Sequence, residues 1–360
     1  MSNPEEERQT PAALGFRMPA EWERHRATWF SWPHNLATWP DELEAVERTL
    51  AGAVRAIATG EEVFVNVLDE KHRRHVEAVL AAEDALQGVR FFEIPTDDAW
   101  VRDHGPIFVR RVRDDRLELA ATTWGFNSWG EKYPPWDLDD AASERMAEAL
   151  GVPVFEHEVI LEGGSIDVNG AGALLTTESC LLNPNRNPDL GRVDIERLLR
   201  SRFGVDQVIW LGDGISGDDT DGHVDDITRF VAEDAVVTVV CTDVNDPDYE
   251  PLQRNLEILQ ETRLTDGRLL HVHTLPAPRP VFVRGERMPA SYANFYVANA
   301  VVVVPTYEDE ADVAAIATLQ RLFPDRQVVG MDCRELIWGL GAIHCLTQQV
   351  PVGEAADGLL

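Results

Sequence analysis

The sequence predicts an α/β fold. Runs of β-branched residues typical of strands alternate with segments of helical periodicity along most of the 360 residues. Several strands arrive in pairs before the next helix, whereas a doubly wound parallel sheet gives one strand for each helix. Hydrophobic residues make up 44% of the chain and charged residues 26%, as in folded globular proteins. This rhythm indicates repeated ββαβ-like units.

The individual elements follow from local patterns. Strands are expected where β-branched residues run between turn residues, at 62–68, 89–94, 107–112, 117–123, 172–177, 207–211, 227–231, 235–240, 298–304 and 327–331. Helices are expected where apolar residues recur every three or four positions, at 42–58, 71–82, 139–150, 194–203, 251–261 and 310–323. Residues 1–15 are predicted to form a flexible acidic tail. No change in composition divides the remainder, so residues 16–360 are predicted to form a single domain.

The charge of the chain excludes several classes of function. There are 63 Asp and Glu against 32 Lys and Arg, and the formal net charge is -31. Nucleic acids and anionic membrane surfaces are bound by clustered cations, so neither is an expected partner. Only Lys71 and Lys132 are lysines, so the other basic side chains are arginines. A small cationic substrate fits this charge, and so does a surface adapted to high salt.

Location and cofactors are judged from the same chain. The acidic N-terminus is not followed by an apolar stretch, and no run approaches the ~18 apolar residues of a membrane span, so we expect a cytoplasmic protein. Residues 212–217 match GxGxxG, but acidic residues follow where a helix N-terminus would bind a pyrophosphate. The acidic loop also fails the EF-hand spacing, because Thr228 occupies the position of the required carboxylate. Neither a dinucleotide site nor a calcium site of this kind is therefore expected.

A set of polar residues in glycine-rich turns carries the remaining signal. Asp103 precedes Gly-Pro at a predicted strand-to-loop junction, and Glu162 precedes Gly-Gly. His223 and Asp225 are two positions apart, and Cys345 follows a flexible segment. Taken singly, the carboxylates also fit caps, turns or arginine partners, the histidine a loop position and the cysteine a small buried hydrophobe.

Together these residues favour one chemistry. Carboxylates raise the pKa of a neighbouring thiol, so several of them around a Cys/His pair suit a cationic substrate that offsets their charge. A guanidinium is the natural candidate, because it pairs bidentately with carboxylates and stacks on an aromatic face such as that of Trp100.

The chain resembles the agmatine deiminase family of the guanidino-group-modifying (pentein) superfamily, in its peptidylarginine deiminase-like branch. The resemblance extends over nearly the whole length and is carried by 29–33 (WFSWP), 100–106 (WVRDHGP), 124–127 (WGFN), 162–165 (EGGS), 181–188 (LLNPNRNP), 219–225 (DTDGHVD), 291–296 (SYANFY) and 343–345 (IHC). It implies a five-bladed α/β propeller of ββαβ units with the active site in a central channel. It also implies a homo-oligomer and an active site with no metal or organic cofactor.

The resemblance further implies catalytic roles. Cys345 would be the nucleophile and His223 the general acid and base. Glu162 would orient His223 and touch the guanidinium, which Asp103 and Asp225 would clamp. The implied reaction is hydrolytic deimination of agmatine to N-carbamoylputrescine and ammonia, a step of putrescine and polyamine biosynthesis, through a covalent S-alkylthiouronium.

Substrate-binding positions implied by the resemblance are Trp100, Asn294 and Asp219. Leu340 and Ala342 replace the glycine and asparagine of plant-like relatives, which removes an amide and adds bulk near the cysteine. Residues 117–144 contain no arginine that would hold a substrate carboxylate, which favours agmatine. The alternatives are a deiminase of peptidyl or free arginine, an amidinotransferase, and a guanidinium-binding protein without catalysis.

Overall fold

The computed structural model describes residues 9–356, and their secondary structure is α/β throughout. The helices are α1 (Leu43–Ile57), α2 (Glu70–Ala82), α3 (Val101–His104), α4 (Ser128–Glu131), α5 (Asp137–Asp140), α6 (Ala142–Leu150), α7 (Glu178–Leu181), α8 (Arg192–Phe203), α9 (Tyr249–Glu261) and α10 (Ala311–Leu322). Short 3-10 turns occur at Ala12–Leu14, Gly163–Ser165, Val224–Asp226 and Leu336–Gly339.

The strands are short and numerous. They are β1 (His25–Ser31), β2 (Glu62–Val67), β3 (Val89–Glu93), β4 (Ile107–Arg113), β5 (Arg116–Gly125), β6 (Val154–Ile160), β7 (Asp167–Val168), β8 (Ala173–Thr177), β9 (Gln207–Leu211), β10 (Thr228–Ala232), β11 (Ala235–Val240), β12 (His271–Pro276), β13 (Val281–Val283), β14 (Glu286–Met288), β15 (Tyr296–Val297), β16 (Val301–Thr306), β17 (Gln327–Asp332), β18 (Gln348–Pro351) and β19 (Glu354–Ala355).

A ββαβ unit recurs five times among the described residues. In four units an antiparallel pair is followed by a helix and a parallel third strand: β4–β5–α6–β6, β7–β8–α8–β9, β10–β11–α9–β12 and β15–β16–α10–β17. In the fifth, β18 pairs antiparallel with β1, and α1 leads to the parallel β2, to which α2 and β3 are added. The two ends of the chain therefore meet in one sheet, which ties residues near the N-terminus to the segment that carries Cys345.

The units pack through buried faces of sheet and helix. The largest apolar cluster contains Trp32, Trp39 and the inward face of α1, with strands β2 and β16. Trp39 is fully buried, and its indole N–H donates to the carbonyl of Leu336 at 2.9 Å. This contact fixes the 3-10 turn Leu336–Gly339, from which the chain continues to Cys345.

The structure confirms each helix and strand predicted from the pattern, with ends shifted by up to about three residues. It corrects the junction predicted at Asp103: residues Val101–His104 form one helical turn, closed by a hydrogen bond from the Gly105 N–H to the Val101 carbonyl. Of the predicted tail, residues 1–8 lie outside the described residues. Residues Ala12–Leu14 form a 3-10 turn, and Phe16, two positions after this turn, is buried.

No helix in residues 9–356 has the length and apolar character needed to cross a membrane.

Candidate active site

The candidate catalytic residues lie in equivalent places in the five units. Each precedes the first strand of a unit: Asp103 precedes β4, Glu162 precedes β7, His223 and Asp225 precede β10, and Cys345 precedes β18. In the remaining unit, Asn294 precedes β15. The five starting loops converge, so residues spread over more than 240 positions form one buried cluster.

Glycines let these loops approach one another. A Cβ on Gly164 would lie 2.6 Å from Nδ1 of His223 and 2.8 Å from Oδ1 of Asp103. A Cβ on Gly341 would lie 2.5 Å from the ring of Trp100. Any side chain at either position would therefore occupy space that the site residues need.

The Cys345 thiol lies at the centre of the cluster, with 6% of the residue exposed. The Nδ2 amide of Asn294 donates to its Sγ at 3.1 Å, and Oδ2 of Asp225 lies 3.8 Å from the same sulfur. Burial and the charges of Asp225, Asp226 and Asp103 raise the pKa of this thiol well above its usual value. In the free protein the sulfur is therefore held as a thiol.

The imidazole of His223 is fully buried and loosely held. Its Nδ1 lies 3.7 Å from Oδ1 of Asp103 and its Nε2 lies 4.0 Å from Oε2 of Glu162, and neither nitrogen has a hydrogen-bond partner of acceptable geometry. Burial alone would lower the pKa of His223, but Asp103, the thiol of Cys180 and Glu162 hold it well above the usual value. This histidine therefore carries a proton that no strong hydrogen bond retains.

Glu162 and Asp225 each have one oxygen paired and one free. Oε1 of Glu162 accepts from Nε of Arg186 at 2.6 Å, and Oδ2 of Asp225 accepts from Nδ1 of His344 at 2.6 Å. Oε2 of Glu162 and Oδ1 of Asp225 are buried without a partner. An unpaired buried carboxylate oxygen is costly, so both atoms indicate a missing cationic donor.

Asp103 is held by two donors. Its Oδ1 accepts from the N–H of Gly164 at 2.9 Å, and its Oδ2 accepts from the indole N–H of Trp129 at 3.0 Å. Burial, with the charges of Asp225 and Glu162, raises the pKa of Asp103 to about 6, although His223 and the indole oppose the shift.

A cavity of about 750 Å³ opens above the thiol. Cys345, Asp103, Trp100 and Asp219 are among its lining residues, whereas Asn294 is not among the described residues that line it. The phenol of Tyr133 donates to Oδ2 of Asp219. Asp219 therefore lines the cavity next to Tyr133, whereas Asn294 contacts the thiol without belonging to the described lining.

The lining of the cavity is acidic. Besides Asp103, its carboxylates among the described residues are Asp97, Asp98, Asp139 and Asp219. The single lysine of the lining, Lys132, donates to the carbonyl of Asp219 and pairs with Oδ1 of Asp221 at 2.9 Å. Leu340 also lines the cavity, in a left-handed backbone conformation with φ of 67°.

Two groups of side chains in residues 9–356 bring three donor atoms of the kind that bind metals within 4.8 Å of one another: Glu162, Cys180 and His223, and Asp225, Asp226 and Cys345. The guanidinium of Arg186 already neutralises Glu162, so a metal in the first group would compete with it. Both groups are formed from the cluster around the thiol.

Sequence reasoning missed two residues of this cluster. Arg186 orients Glu162 and also donates to Oδ2 of Asp221 at 2.6 Å, and its signal was the NRNP segment at 185–188. His344 was read only as part of the segment before Cys345, although it contacts Asp225 directly. Nothing local in sequence links His344 to a carboxylate 119 positions away.

Comparison with known proteins identifies the family. Residues 17–351 match the model of the Porphyromonas-type peptidyl-arginine deiminase family. The chain belongs to this family. Within the family, the chain is 40% identical to the agmatine deiminase of Pseudomonas aeruginosa (strain UCBPP-PA14), over 99% of this chain and 100% of that protein.

Solved structures of family members have the same α/β fold. The agmatine deiminase of Enterococcus faecalis is 36% identical and superposes with a TM-score of 0.88, over 95% of this chain and 97% of that one. A C. jejuni agmatine deiminase variant with substrate bound is 31% identical and gives a TM-score of 0.84, over 94% and 97% of the two chains.

Proposed function

We propose that this protein hydrolyses agmatine to N-carbamoylputrescine and ammonia. The observation that carries the proposal is the convergence of Cys345, His223 and two half-paired carboxylates beneath an acidic cavity. Full-length similarity to proteins named agmatine deiminases supports the choice of substrate.

The guanidinium would fill the two free acceptors. Oδ1 of Asp225 and Oε2 of Glu162 would each accept an N–H, with Asp103 as a third anionic neighbour. The indole of Trp100 lines the same space and offers an aromatic face. The substrate cation offsets the carboxylates that hold Cys345 as a thiol, so its binding favours release of the thiol proton to solvent.

In the first half of the reaction, the Cys345 thiolate attacks the guanidinium carbon and forms the C–S bond. The protonated imidazole of His223 gives its proton to the departing nitrogen, the C–N bond breaks and ammonia leaves. An S-alkylthiouronium remains on the cysteine.

In the second half, neutral His223 accepts a proton from a water that attacks the thiouronium carbon. Collapse of the adduct breaks the C–S bond and returns the thiolate, and the protonated ureido product gives up its extra proton to solvent as it leaves. The amide of Asn294, 3.1 Å from the sulfur, supports the negative charge of the thiolate. Asn294 is therefore assigned to the nucleophile rather than to the substrate chain.

The acidic lining of the cavity favours agmatine over arginine. A primary ammonium suits the carboxylates there, and we assign Asp219 to this end of the substrate. The carboxylate of arginine would meet anions, with no arginine among the lining residues and with Lys132 already paired to Asp221. Peptidyl-arginine deimination is the second candidate, because the matched family model carries that name.

We propose that the five ββαβ units form a five-bladed propeller around a central channel, within one catalytic domain of residues 16–360. The placement of one site loop before the first strand of each unit supports this arrangement. The homo-oligomeric state and the cytoplasmic location stay predictions, as does the absence of a cofactor.

Purified protein incubated with agmatine, free arginine and a peptidyl-arginine substrate in parallel tests the function. We expect ureido product and ammonia from agmatine in equal amounts, with no amine acceptor required. Turnover of arginine or the peptide in place of agmatine would contradict the substrate assignment. Binding of agmatine without product would favour a non-catalytic guanidinium-binding protein.

A further inference from the structure

Glu21 is a buried carboxylate outside the set discussed so far. It lies before β1, and 5% of the residue is exposed. Its Oε1 accepts from the N–H of Val297 at 2.8 Å, and its Oε2 accepts from Nη2 of Arg229 at 2.8 Å. The same Oε2 lies 2.8 Å from Nε2 of His344. One side chain near the N-terminus thus contacts three segments that are over 200 positions away.

His344 lies between two carboxylates. Its Nε2 faces Oε2 of Glu21 at 2.8 Å and its Nδ1 faces Oδ2 of Asp225 at 2.6 Å. A neutral imidazole has one N–H, so it can donate to one of them only. Both contacts are satisfied by the doubly protonated imidazolium, which also supplies a positive charge between two buried anions.

Asp225 has charged neighbours on several elements. Beside His344 and Cys345, it faces His223 and Asp226 from its own loop, Arg229 from β10 and Asp103 from α3. Burial would raise the pKa of Asp225, but His344 foremost, with His223 and Arg229, holds it below the usual value.

We propose that Glu21 is a positioning residue that holds His344 as the imidazolium, and that this imidazolium fixes Asp225 with Oδ1 free to receive the guanidinium. The inference rests on the proposed function for the role of Asp225. Glu21 touches neither substrate nor thiol. It acts through two hydrogen bonds in series, Glu21 to His344 and His344 to Asp225.

The variant Glu21→Gln breaks this series with little change of volume. Its amide nitrogen would face a donor in either orientation, the N–H of Val297 or the side chains of Arg229 and His344. Its carbonyl oxygen carries no charge to retain a second proton on the imidazole. The imidazole of His344 then keeps a proton on only one nitrogen. As a result, Asp225 either loses the charge-assisted hydrogen bond to its Oδ2 or changes the orientation of its carboxylate.

Glu23→Gln is the matched control. Glu23 is two positions away and partly buried, and it pairs with Arg17 at 2.7 Å and with Arg110. The variant Glu23→Gln therefore loses ion pairs comparable to those lost in Glu21→Gln, at a side chain that does not contact His344. We expect kcat/KM for agmatine to fall about 10- to 100-fold in Glu21→Gln, mainly through KM, and to change less than about twofold in Glu23→Gln. Equal effects of the two variants would overturn the proposal.

Nitrogen NMR of protein labelled with ¹⁵N-histidine tests the charge directly. Because each ring nitrogen faces a carboxylate oxygen, His344 should show two protonated nitrogens in the wild-type protein and one in Glu21→Gln. The signal is assigned by its absence in His344→Gln. A neutral His344 in the wild-type protein would overturn the proposal.

This design separates the inference from the proposed function. The protonation state of His344 is measured without substrate, so the result tests the inference independently of which guanidine the protein uses. If Glu21→Gln fails to fold, the wild-type spectrum still decides the protonation state. His344→Gln, which keeps a neutral donor towards Asp225, should then raise KM for agmatine more than it lowers kcat.

Discussion

Two buried histidines of this protein have opposite surroundings. In the segment before β18, both ring nitrogens of His344 lie within 2.8 Å of carboxylate oxygens. In the loop before β10, the nearest carboxylate oxygens to the ring nitrogens of His223 are 3.7 and 4.0 Å away, and neither nitrogen has a hydrogen-bond partner.

The difference teaches which histidine exchanges protons. The ring of His344 is fixed in place, because both of its nitrogens make short contacts with buried carboxylate oxygens. His223 is protonated because of its anionic neighbours, but no single bond retains the proton. We therefore assign proton transfer to His223 and positioning to His344.

The largest effect is expected from Cys345→Ala, because both histidines act around this thiol. Without the nucleophile no covalent intermediate forms, and kcat should fall at least about 10³-fold. Cys241→Ala, on a partly exposed cysteine at the end of β11, should retain activity. Steady-state ammonia release measures both, and retained activity in Cys345→Ala would refute the nucleophile.

Replacement of His223 should sharpen the contrast between the histidines. His223→Gln removes the proton donor of the first step and the base of the second, so kcat should fall about 10²- to 10⁴-fold. His344→Gln should mainly raise KM for agmatine, by about 10- to 100-fold. The comparison fails if His344→Gln lowers kcat more than His223→Gln does.

The pH profile tests the anion next to His223. Because the pKa of Asp103 is raised to about 6, its carboxylate becomes protonated as the pH falls through this value. The site then loses an anion that binds the guanidinium and keeps His223 protonated, so kcat/KM should fall about tenfold per pH unit below about pH 6. Asp103→Asn should have low activity and lack this limb, whereas an unchanged limb in the variant would assign it to another group.

The smallest effect is expected from a change at Asp219 in the lining of the cavity. Asp219→Asn removes one anion near the proposed site of the substrate ammonium and should raise KM for agmatine about two- to tenfold, with kcat nearly unchanged. The control is Asp266→Asn, on an exposed turn where the carboxylate pairs with Arg268. Equal kinetics of the two variants would remove Asp219 from the substrate site.

Much of the fold was predictable from local pattern. Strands such as β2 and β11 are runs of β-branched residues, and α1 has a clear apolar face. Strand β1 was not predicted, because its residues lie within a stretch rich in tryptophan and proline, without a clear run of β-branched residues. Strand β18 pairs with β1 across the whole length of the chain, which no local pattern encodes.

The site residues that lie within segments matching the family were predictable from the sequence. Cys345, His223, Glu162, Asp103 and Asp225 do form one cluster, although their catalytic roles stay proposals. The sequence could not show which carboxylate oxygens of Glu162 and Asp225 lack a hydrogen-bond partner, because the partners come from other parts of the chain. Arg186 on Glu162 and His344 on Asp225 are long-range contacts of this kind.

The most direct test of the account is the intact mass of the protein during turnover. The wild-type protein, mixed with agmatine and quenched in acid during turnover, should retain an adduct with the mass of agmatine less one ammonia, and peptide mapping should place it on Cys345. The same adduct should be absent from Cys345→Ala. An adduct on another residue, or product formation by a Cys345→Ala variant without any adduct, would contradict a covalent deimination at Cys345.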